Sequence, residues 1–326
     1  MYHYQYVNSH ASEQPFLITA HGDDWSPLMP FMESVFTKIC AVAMFFANPP
    51  VRRSYWIDDL NPWVVRFYGD VGIRWYGLAY LAGMLAAGWI LLRWARRGRL
   101  PIKQDDVSIF IMYAGTGMMI GGRLGYCLFY NAHEVIHQPL EILALWHGGM
   151  ASHGGIIGLV AAIWVFALQR GLKPQALVDA AAATGPLGIA LGRLANFVNG
   201  ELWGRSTNVP WAVVFPQAPL VNGVQVPRHP SQIYAAGIEG VLVFLIAQWV
   251  YARTSRPGLT TATGCIAYGV GRFIDEFWRA PDIGQPVYWG WMSKGQLLTI
   301  PMIVFGVAWA FHIKKGAAQS GRGGSL

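Results

Sequence analysis

The chain has 326 residues, of which 54% are hydrophobic and only 13% charged, against about 25% charged in an average soluble domain. Fifteen tryptophans and this apolar bulk exclude both an ordinary soluble globule and an intrinsically disordered chain. The net charge of +7 is sparse and broken up by apolar runs, so it reads as membrane topology and anionic lipid rather than nucleic acid.

In chain order, residues 1–50 stand apart as an N-terminal extension. They are polar at first and hold one apolar stretch, Ile39 to Ala47, too short to span a bilayer and without a clear small-residue cleavage site. One account of this segment is an upstream start-codon assignment, with Met44 the candidate true start; an N-terminal sequence of the purified protein decides it. Seven apolar runs follow, each compared with the roughly 20 residues a bilayer core requires. They are Trp75 to Leu92, Val107 to Tyr130, Gly154 to Leu168, Ala176 to Val198, Ile233 to Ala252, the short glycine-rich Thr261 to Ile274, and Leu297 to Ile313. Residues 51–315 therefore read as one membrane domain and 316–326 as a flexible cytoplasmic tail. The stretch 199–232, between the fourth and fifth runs, holds five prolines and reads as a small folded head on the membrane surface. The expected fold class is an all-α polytopic membrane protein of seven transmembrane helices with that head on the periplasmic side.

Charge sets the orientation. Connections one, three and five and the C-terminal tail carry twelve basic residues, among them Arg93, Arg96, Arg97 and Arg99, while connections two, four and six carry four. The excess of positive charge belongs in the cytoplasm, which puts the C-terminus inside and the N-terminus outside. The N-terminal Lys38, Arg52, Arg53, Arg66 and Arg74 dissent from this rule. Cys40, Cys127 and Cys265 are too scattered for a disulfide framework or a zinc site.

Three arginines, Arg123, Arg193 and Arg272, fall inside three different apolar runs. Each costs about 2.5–3.5 kcal/mol at the bilayer centre on insertion scales, so something offsets that cost. Snorkelling to a helix end is one account. Ion pairs with Asp179, Glu239 or Glu276 are a second. A basic cavity for an anionic group, most naturally a phosphate held by guanidinium in bidentate fashion, is the third. His147 and His153 flank the third run, six apart, which is wrong for two metal ligands on one helical face. The glycines around His153 permit close approach of a lipid or peptide, and a histidine titrating near neutrality there could act as a general base. The densest polar segment is Gly192-Arg193-Leu194-Ala195-Asn196-Phe197-Val198-Asn199-Gly200-Glu201-Leu202-Trp203-Gly204. On a helix, Arg193, Asn196 and Asn199 recur on one face. Helix-packing hydrogen bonds could account for the asparagines, but the whole run is excessive for that alone.

At this segment the sequence resembles the bacterial phosphatidylglycerol–prolipoprotein diacylglyceryl transferases. Gly192 to Gly204 match that family's pattern Gly-Arg-x-Gly/Ala-Asn-Phe-apolar-Asn-x-Glu-x-x-Gly at every defined position. Further matches run in the family's order: Arg74-Trp75-Tyr76-Gly77, Gly121 to Tyr126, His153-Gly154-Gly155, Arg228-His229-Pro230-Ser231-Gln232-Ile233-Tyr234, Tyr268 through Arg272 to Asp282, and Ser293-Lys294-Gly295-Gln296. The resemblance covers about residues 55 to 315. It implies a seven-helix body in the bacterial inner membrane, phosphatidylglycerol and preprolipoproteins bearing a lipobox cysteine as partners, no nucleic acid, and neither cofactor nor metal. It implies transfer of the diacylglyceryl group to the cysteine thiol, with glycerol-1-phosphate leaving. By position, Arg193 and Arg272 would bind and polarise the phosphate, and His153 would be the candidate base. Tyr76, Asn196, Asn199, Glu201, Tyr268 and Glu276 would shape the lipid pocket, with Arg123 a supporting cation. An interfacial aromatic belt is the plainer account of Tyr76 and Tyr268.

The sequence also departs from the family. His147 stands where an acidic residue is usual, Ala235 where a glutamate is common, Lys294 where methionine is frequent, and Arg74 replaces a frequent histidine. A catalytically impaired paralogue that binds lipid or anions is the alternative these changes raise. An anion transporter ranks last, because no inverted repeat with broken helices is visible.

Overall fold

The computed structural model describes residues 55–69, 71–144, 149–281 and 287–322, with side chains to Lys315. The extension at 1–50, with Met44 and Cys40, lies outside the described residues, as do His147 and Asp282. The chain opens on a short strand β1 (Trp56–Ile57), followed by a hairpin of β2 (Trp63–Tyr68) and β3 (Val71–Arg74). Of the charges that dissent from the positive-inside pattern, Arg74 sits over the Trp63 ring at 4.2 Å and Arg66 at 5.6 Å. Both side chains are exposed, and each cation also lies over an aromatic face.

The rest is mostly helix: α1 (Trp75–Arg96), α2 (Asp106–Phe129), a short α3 (Ala132–His137), α4 (Ser152–Gln169), α5 (Pro174–Val198), α6 (Ser231–Arg253), α7 (Leu259–Asp275) and α8 (Lys294–Arg322). The chain is a polytopic membrane protein. Five helices, α1, α2, α4, α6 and α8, are long and apolar enough to cross a membrane by length and composition. The two other long helices are diluted by polar residues: α5 carries Asp179, Thr184, Arg193 and Asn196, while α7 has 17 residues and includes Thr260, Thr261 and Arg272. The large exposed hydrophobics, such as Leu85, Trp89, Leu128 and Phe305, fit a lipid-facing surface.

Helices α2 and α4 approach closely through small residues, as membrane helices do. A Cβ added to Gly154 would stand 2.9 Å from the Gly125 Cα and would also strike the Gly121 carbonyl. The glycine after His153, expected to admit a lipid or peptide, is thus occupied by a neighbouring helix. The core of the bundle is apolar where α1, α2, α4 and α5 meet, with Phe110, Phe166, Ile163 and Leu177 sealed from solvent.

Residues 199–230 are folded, not extended linker. β4 (Val213–Val214) pairs in parallel with β1, Trp56 opposite Val213. Arg228 is buried, its backbone paired with Val213 and its guanidinium donating to the carbonyls of Pro219 at 2.9 Å and Gly204 at 3.3 Å. Burial lowers its pKa from the ordinary arginine value. The motif arginine is therefore a bracket for the head's backbone.

Candidate functional site

The site is assembled where α5, α6 and α7 converge. Within α6, residues Ala236–Leu242 adopt π-helical winding, a local bulge that recurs at functional positions. It turns Glu239 and Gly240 toward α5. Gly240 lies so close to α5 that a Cβ there would come within 2.6 Å of the Ala190 Cα. This approach puts Arg193, three residues beyond Ala190, against Glu239.

Glu239 is completely buried and joins two arginines. Its Oε2 accepts from Arg193 Nη2 at 2.8 Å and Nε at 3.2 Å. Its Oε1 accepts from Arg272 Nη1 at 3.1 Å. The two arginines keep 18% and 12% side-chain exposure while the carboxylate keeps none, so the accessible part of this cluster is guanidinium. Each guanidinium has five N–H donors, and those not spent on carboxylates are available to an anionic ligand. Of the three accounts open in the sequence, snorkelling, ion pairing and anion binding, the structure contains ion pairs for Arg193 and Arg272 without exhausting their donors for an anion.

The far side of Arg272 pairs with Glu276, and Asp275 Oδ2 lies 3.7 Å from its Nη1. Glu276 is buried in turn and accepts from Arg279 Nη1 at 3.0 Å and Ser293 Oγ at 2.6 Å. Ser293 opens α8 through a reciprocal cap: Gln296 N–H donates to Ser293 Oγ at 3.1 Å, and Ser293 N–H donates to Gln296 Oε1 at 2.9 Å. The Ser293-Lys294-Gly295-Gln296 motif is thus a capping box whose hydroxyl also anchors Glu276.

Glu201 closes the cluster at the end of α5. Its Oε1 accepts from Asn196 Nδ2 at 2.8 Å and Asn199 Nδ2 at 3.2 Å. The following turn is pinned from α6, with Gln232 Nε2 donating to the Glu201 carbonyl at 2.6 Å and Ser231 Oγ to that of Leu202 at 2.9 Å. Leu202 adopts a positive φ of 58°, uncommon for a side chain of its size. The His-Pro-Ser-Gln motif therefore supports the Gly-Arg-x-Ala-Asn motif directly.

Tyr268 is on α7, four residues before Arg272, and lies in the charged surroundings of Glu239, Arg193 and Arg272. Tyr76 is reached by Tyr80, whose hydroxyl is 3.1 Å away, and Tyr80 itself feels the charges of Arg193 and Glu201. Arg193, Asn196, Asn199, Glu201, Tyr268, Arg272 and Glu276 are therefore gathered into one region, with Tyr76 at its margin.

Two expected residues lie apart. Arg123 is buried on α2 and ties down the segment before α4, donating from Nε to the Ile142 carbonyl at 3.1 Å and from Nη1 to that of Gly149 at 3.3 Å; Glu141 lies 3.6 Å from its Nη2. His153 is exposed in the first turn of α4, and among the described residues no hydrogen bond or ion pair joins it to the arginine cluster. Asp179, a possible arginine partner by sequence, instead caps α7: it accepts from Gly258 N–H at 2.6 Å, Thr261 N–H at 2.8 Å and Thr261 Oγ1 at 2.6 Å. Ala235, at one of the departures, is buried in α6.

The family profile described as prolipoprotein diacylglyceryl transferase matches residues 62–312, which contain this entire cluster. The chain belongs to the prolipoprotein diacylglyceryl transferase family. Among its relatives, a phosphatidylglycerol–prolipoprotein diacylglyceryl transferase of Rhodospirillum centenum is 44% identical over 243 residues, 73% of this chain and 87% of the relative. That of Brucella anthropi is 40% identical over 272 residues, 80% of this chain and 94% of the relative. That of Cupriavidus metallidurans is 42% identical over 268 residues, 78% and 95% respectively. Glu239, Tyr80, Arg279 and Ser293 were not singled out as site residues by sequence. For Glu239 the available signal was its position as the lone charge in an apolar run.

Proposed function

We propose that this membrane enzyme transfers the diacylglyceryl group of phosphatidylglycerol to the lipobox cysteine of a preprolipoprotein. The sulfur forms a bond to the glyceryl carbon, the bond from that carbon to the phosphate oxygen breaks, and glycerol-1-phosphate leaves. The thiol proton passes to a base. The observation that carries this reading is the pair of partly exposed arginines fixed on one buried carboxylate. A phosphate ester leaves with growing negative charge, and preorganised guanidinium in a low-dielectric site stabilises that charge more than water-solvated lysine would.

In this reading Arg193 and Arg272 hold the phosphate, and Tyr268, Tyr76, Asn196, Asn199, Glu201 and Glu276 shape or support its pocket. Arg123 serves the same reaction at a distance by holding the segment before α4. His153 is the candidate base, since a cysteine thiol of pKa about 8.5 is mostly protonated at neutral pH. The protein sits in the bacterial inner membrane with α1, α2, α4, α5, α6, α7 and α8 as seven spans. The head lies at the periplasmic face and the C-terminus in the cytoplasm, as the twelve basic residues on one side favour.

The test is transfer of labelled glyceryl lipid to a lipobox peptide by membranes containing the full chain. Arg193→Ala and Arg272→Ala should each reduce transfer by about 10²-fold or more. Wild-type rates in either variant would sink the assigned roles. Phosphatidylglycerol binding without any transfer by the wild-type chain would sink the activity and favour the catalytically impaired alternative.

A further inference from the structure

Tyr76, Tyr80 and Gly83 are spaced four and three apart on α1, and so share one face of that helix. Gly83 presses that face onto α5: a Cβ there would stand 3.0 Å from the Gly188 Cα. The two helices run in opposite directions, since Arg99, beyond the far end of α1, lines one recess with Ala176, near the start of α5. Along α1, Tyr80 lies about 4.5 Å and Tyr76 about 10.5 Å from Gly83. Along α5, Arg193 lies about 7.5 Å from Gly188 in the same direction. The level of Arg193 therefore falls between the two tyrosines. Tyr80 accordingly stands in the charged surroundings of Arg193 and Glu201.

Tyr80 shares the face that packs on α5, yet 44% of it is exposed. A residue on a packed face stays this open where the neighbouring helix leaves a gap. Gly192, just before Arg193, also opens on space, because a Cβ there would meet nothing within 4 Å. The tyrosine pair thus borders accessible space beside Arg193. Tyr80 Oη donates to Tyr76 Oη at 3.1 Å, and the rings meet edge to face with centroids 4.9 Å apart. Two phenols carry two protons, and the bond between them holds one. The Tyr80 proton is spent on that bond. Tyr76 keeps its own, and among the described residues no acceptor takes it. Accepting a bond also makes a hydroxyl a better donor, because hydrogen bonds in a chain polarise one another. An ester phosphate that gains charge as it leaves is the acceptor such a donor suits.

We propose that Tyr80 is a positioning residue for transfer. By donating to Tyr76 it turns the free proton of the pair toward a phosphate oxygen held by Arg193, where negative charge grows. Tyr80 itself does not touch the reacting atoms. The inference rests on the transfer reading and adds to it the way Tyr76 is oriented. An interfacial aromatic belt would need the two rings but not the bond between their hydroxyls.

The experiment measures kcat and KM for phosphatidylglycerol with membranes containing the full chain, in a double-mutant cycle of Tyr76→Phe, Tyr80→Phe and both together. Each change removes one oxygen and keeps the ring contact. Tyr76→Phe should lower kcat by about 10²-fold, as loss of a donor to a developing oxyanion does. Tyr80→Phe should lower kcat by about tenfold, equivalent to about 1.4 kcal/mol, with KM within about twofold of wild type. The double variant should be no slower than Tyr76→Phe alone, because Tyr80 acts only through Tyr76. Unfolding midpoints in detergent should match wild type in all three. Wild-type kcat in Tyr80→Phe would overturn the proposal, and a loss confined to Tyr80→Leu would make Tyr80 a packing residue. Losses that multiply in the double variant would overturn it as well, since Tyr80 would then act independently of Tyr76. Failure of the wild-type chain to transfer lipid at all would sink the transfer reading, and this role with it.

Discussion

Arg193 donates twice to one oxygen of Glu239, from Nη2 at 2.8 Å and from Nε at 3.2 Å. The guanidinium edge nearest α6 is thereby fixed, and the other carboxylate oxygen of Glu239 is left for Arg272. A carboxylate with no solvent exposure, shared by two arginines, sets their separation as well as their charge balance.

Glu239→Gln should therefore lower kcat more than it raises KM. The amide can accept from only one of the two arginines, and the other would drift. A misplacement of about 1 Å at a reacting group can cost about 10²-fold in rate. Breaking one side of a buried pair also costs about 3–5 kcal/mol, so thermal unfolding in detergent has to be measured beside transfer. Glu239→Asp, which keeps the charge and shortens the reach, separates the two effects. Stability near wild type with most activity lost assigns Glu239 to positioning. Full activity in Glu239→Gln would remove that role.

The arginines could be found in the sequence because charge inside an apolar run is costly. Glu239 and Glu276 stand among the candidate partners with Asp179, but the sequence does not choose between them, since Glu239 lies 46 residues from Arg193 and 33 from Arg272. Arg123 and Arg193 look alike in sequence, each an arginine after glycine in an apolar run. They differ only in what the fold sets beside them, carbonyls before α4 for one and a buried carboxylate for the other. The same chemistry blurred the helices. Helices α5 and α7 carry the polar residues of both ends of the bundle, which is why they are not among the helices apolar and long enough to cross a membrane by composition. The capping box at Ser293 has a spacing visible in sequence, yet its hydrogen bond to Glu276 depends on how α7 ends against α8.

Gly154→Val should destabilise the bundle. Even one carbon at this position meets the Gly125 Cα at 2.9 Å, and a branched side chain needs more room. Forced overpacking costs about 1–3 kcal/mol, with helix separation in place of a void. A lower unfolding midpoint in detergent, with transfer falling in proportion to folded protein, is the expected result. An unchanged midpoint would mean that α2 and α4 do not touch at this register.

The head carries a titrating carboxyl outside the spans. Asp58 is 3% exposed; its Oδ1 accepts from Leu60 N–H at 3.3 Å, and its Oδ2 is buried without a partner. Burial pushes its pKa from 3.8 up to about 7. Below about pH 4 the group is protonated folded or unfolded, and it contributes no pH dependence. Between about 4 and 7 the folded state keeps a proton that the unfolded state has released, so stability falls as pH rises; above about 7 that loss is complete. The slope within this window approaches about 1.4 kcal/mol per pH unit. Asp58→Asn mimics the protonated form, and should raise the unfolding midpoint at pH 8 while leaving it unchanged at pH 4. The same pH slope in wild type and variant would assign the titration to another group.

His153 tests the proton-transfer half of the reaction. Its ring is exposed at the start of α4 and, among the described residues, has no bond to the arginine cluster, so any contribution comes through the incoming thiol rather than through Arg193 or Arg272. A general base contributes about 10²–10⁴-fold to rate. His153→Gln keeps a hydrogen-bonding side chain and removes the ring base. It should lower kcat/KM by at least about 10²-fold, with phosphatidylglycerol binding unchanged. A peptide bearing a more acidic thiol should recover part of the loss, because less proton transfer is then required. If the variant keeps wild-type kcat/KM, or the more acidic thiol recovers none of the loss, the thiol proton goes to a different acceptor, and the exposed edge of α4 serves only to seat the peptide.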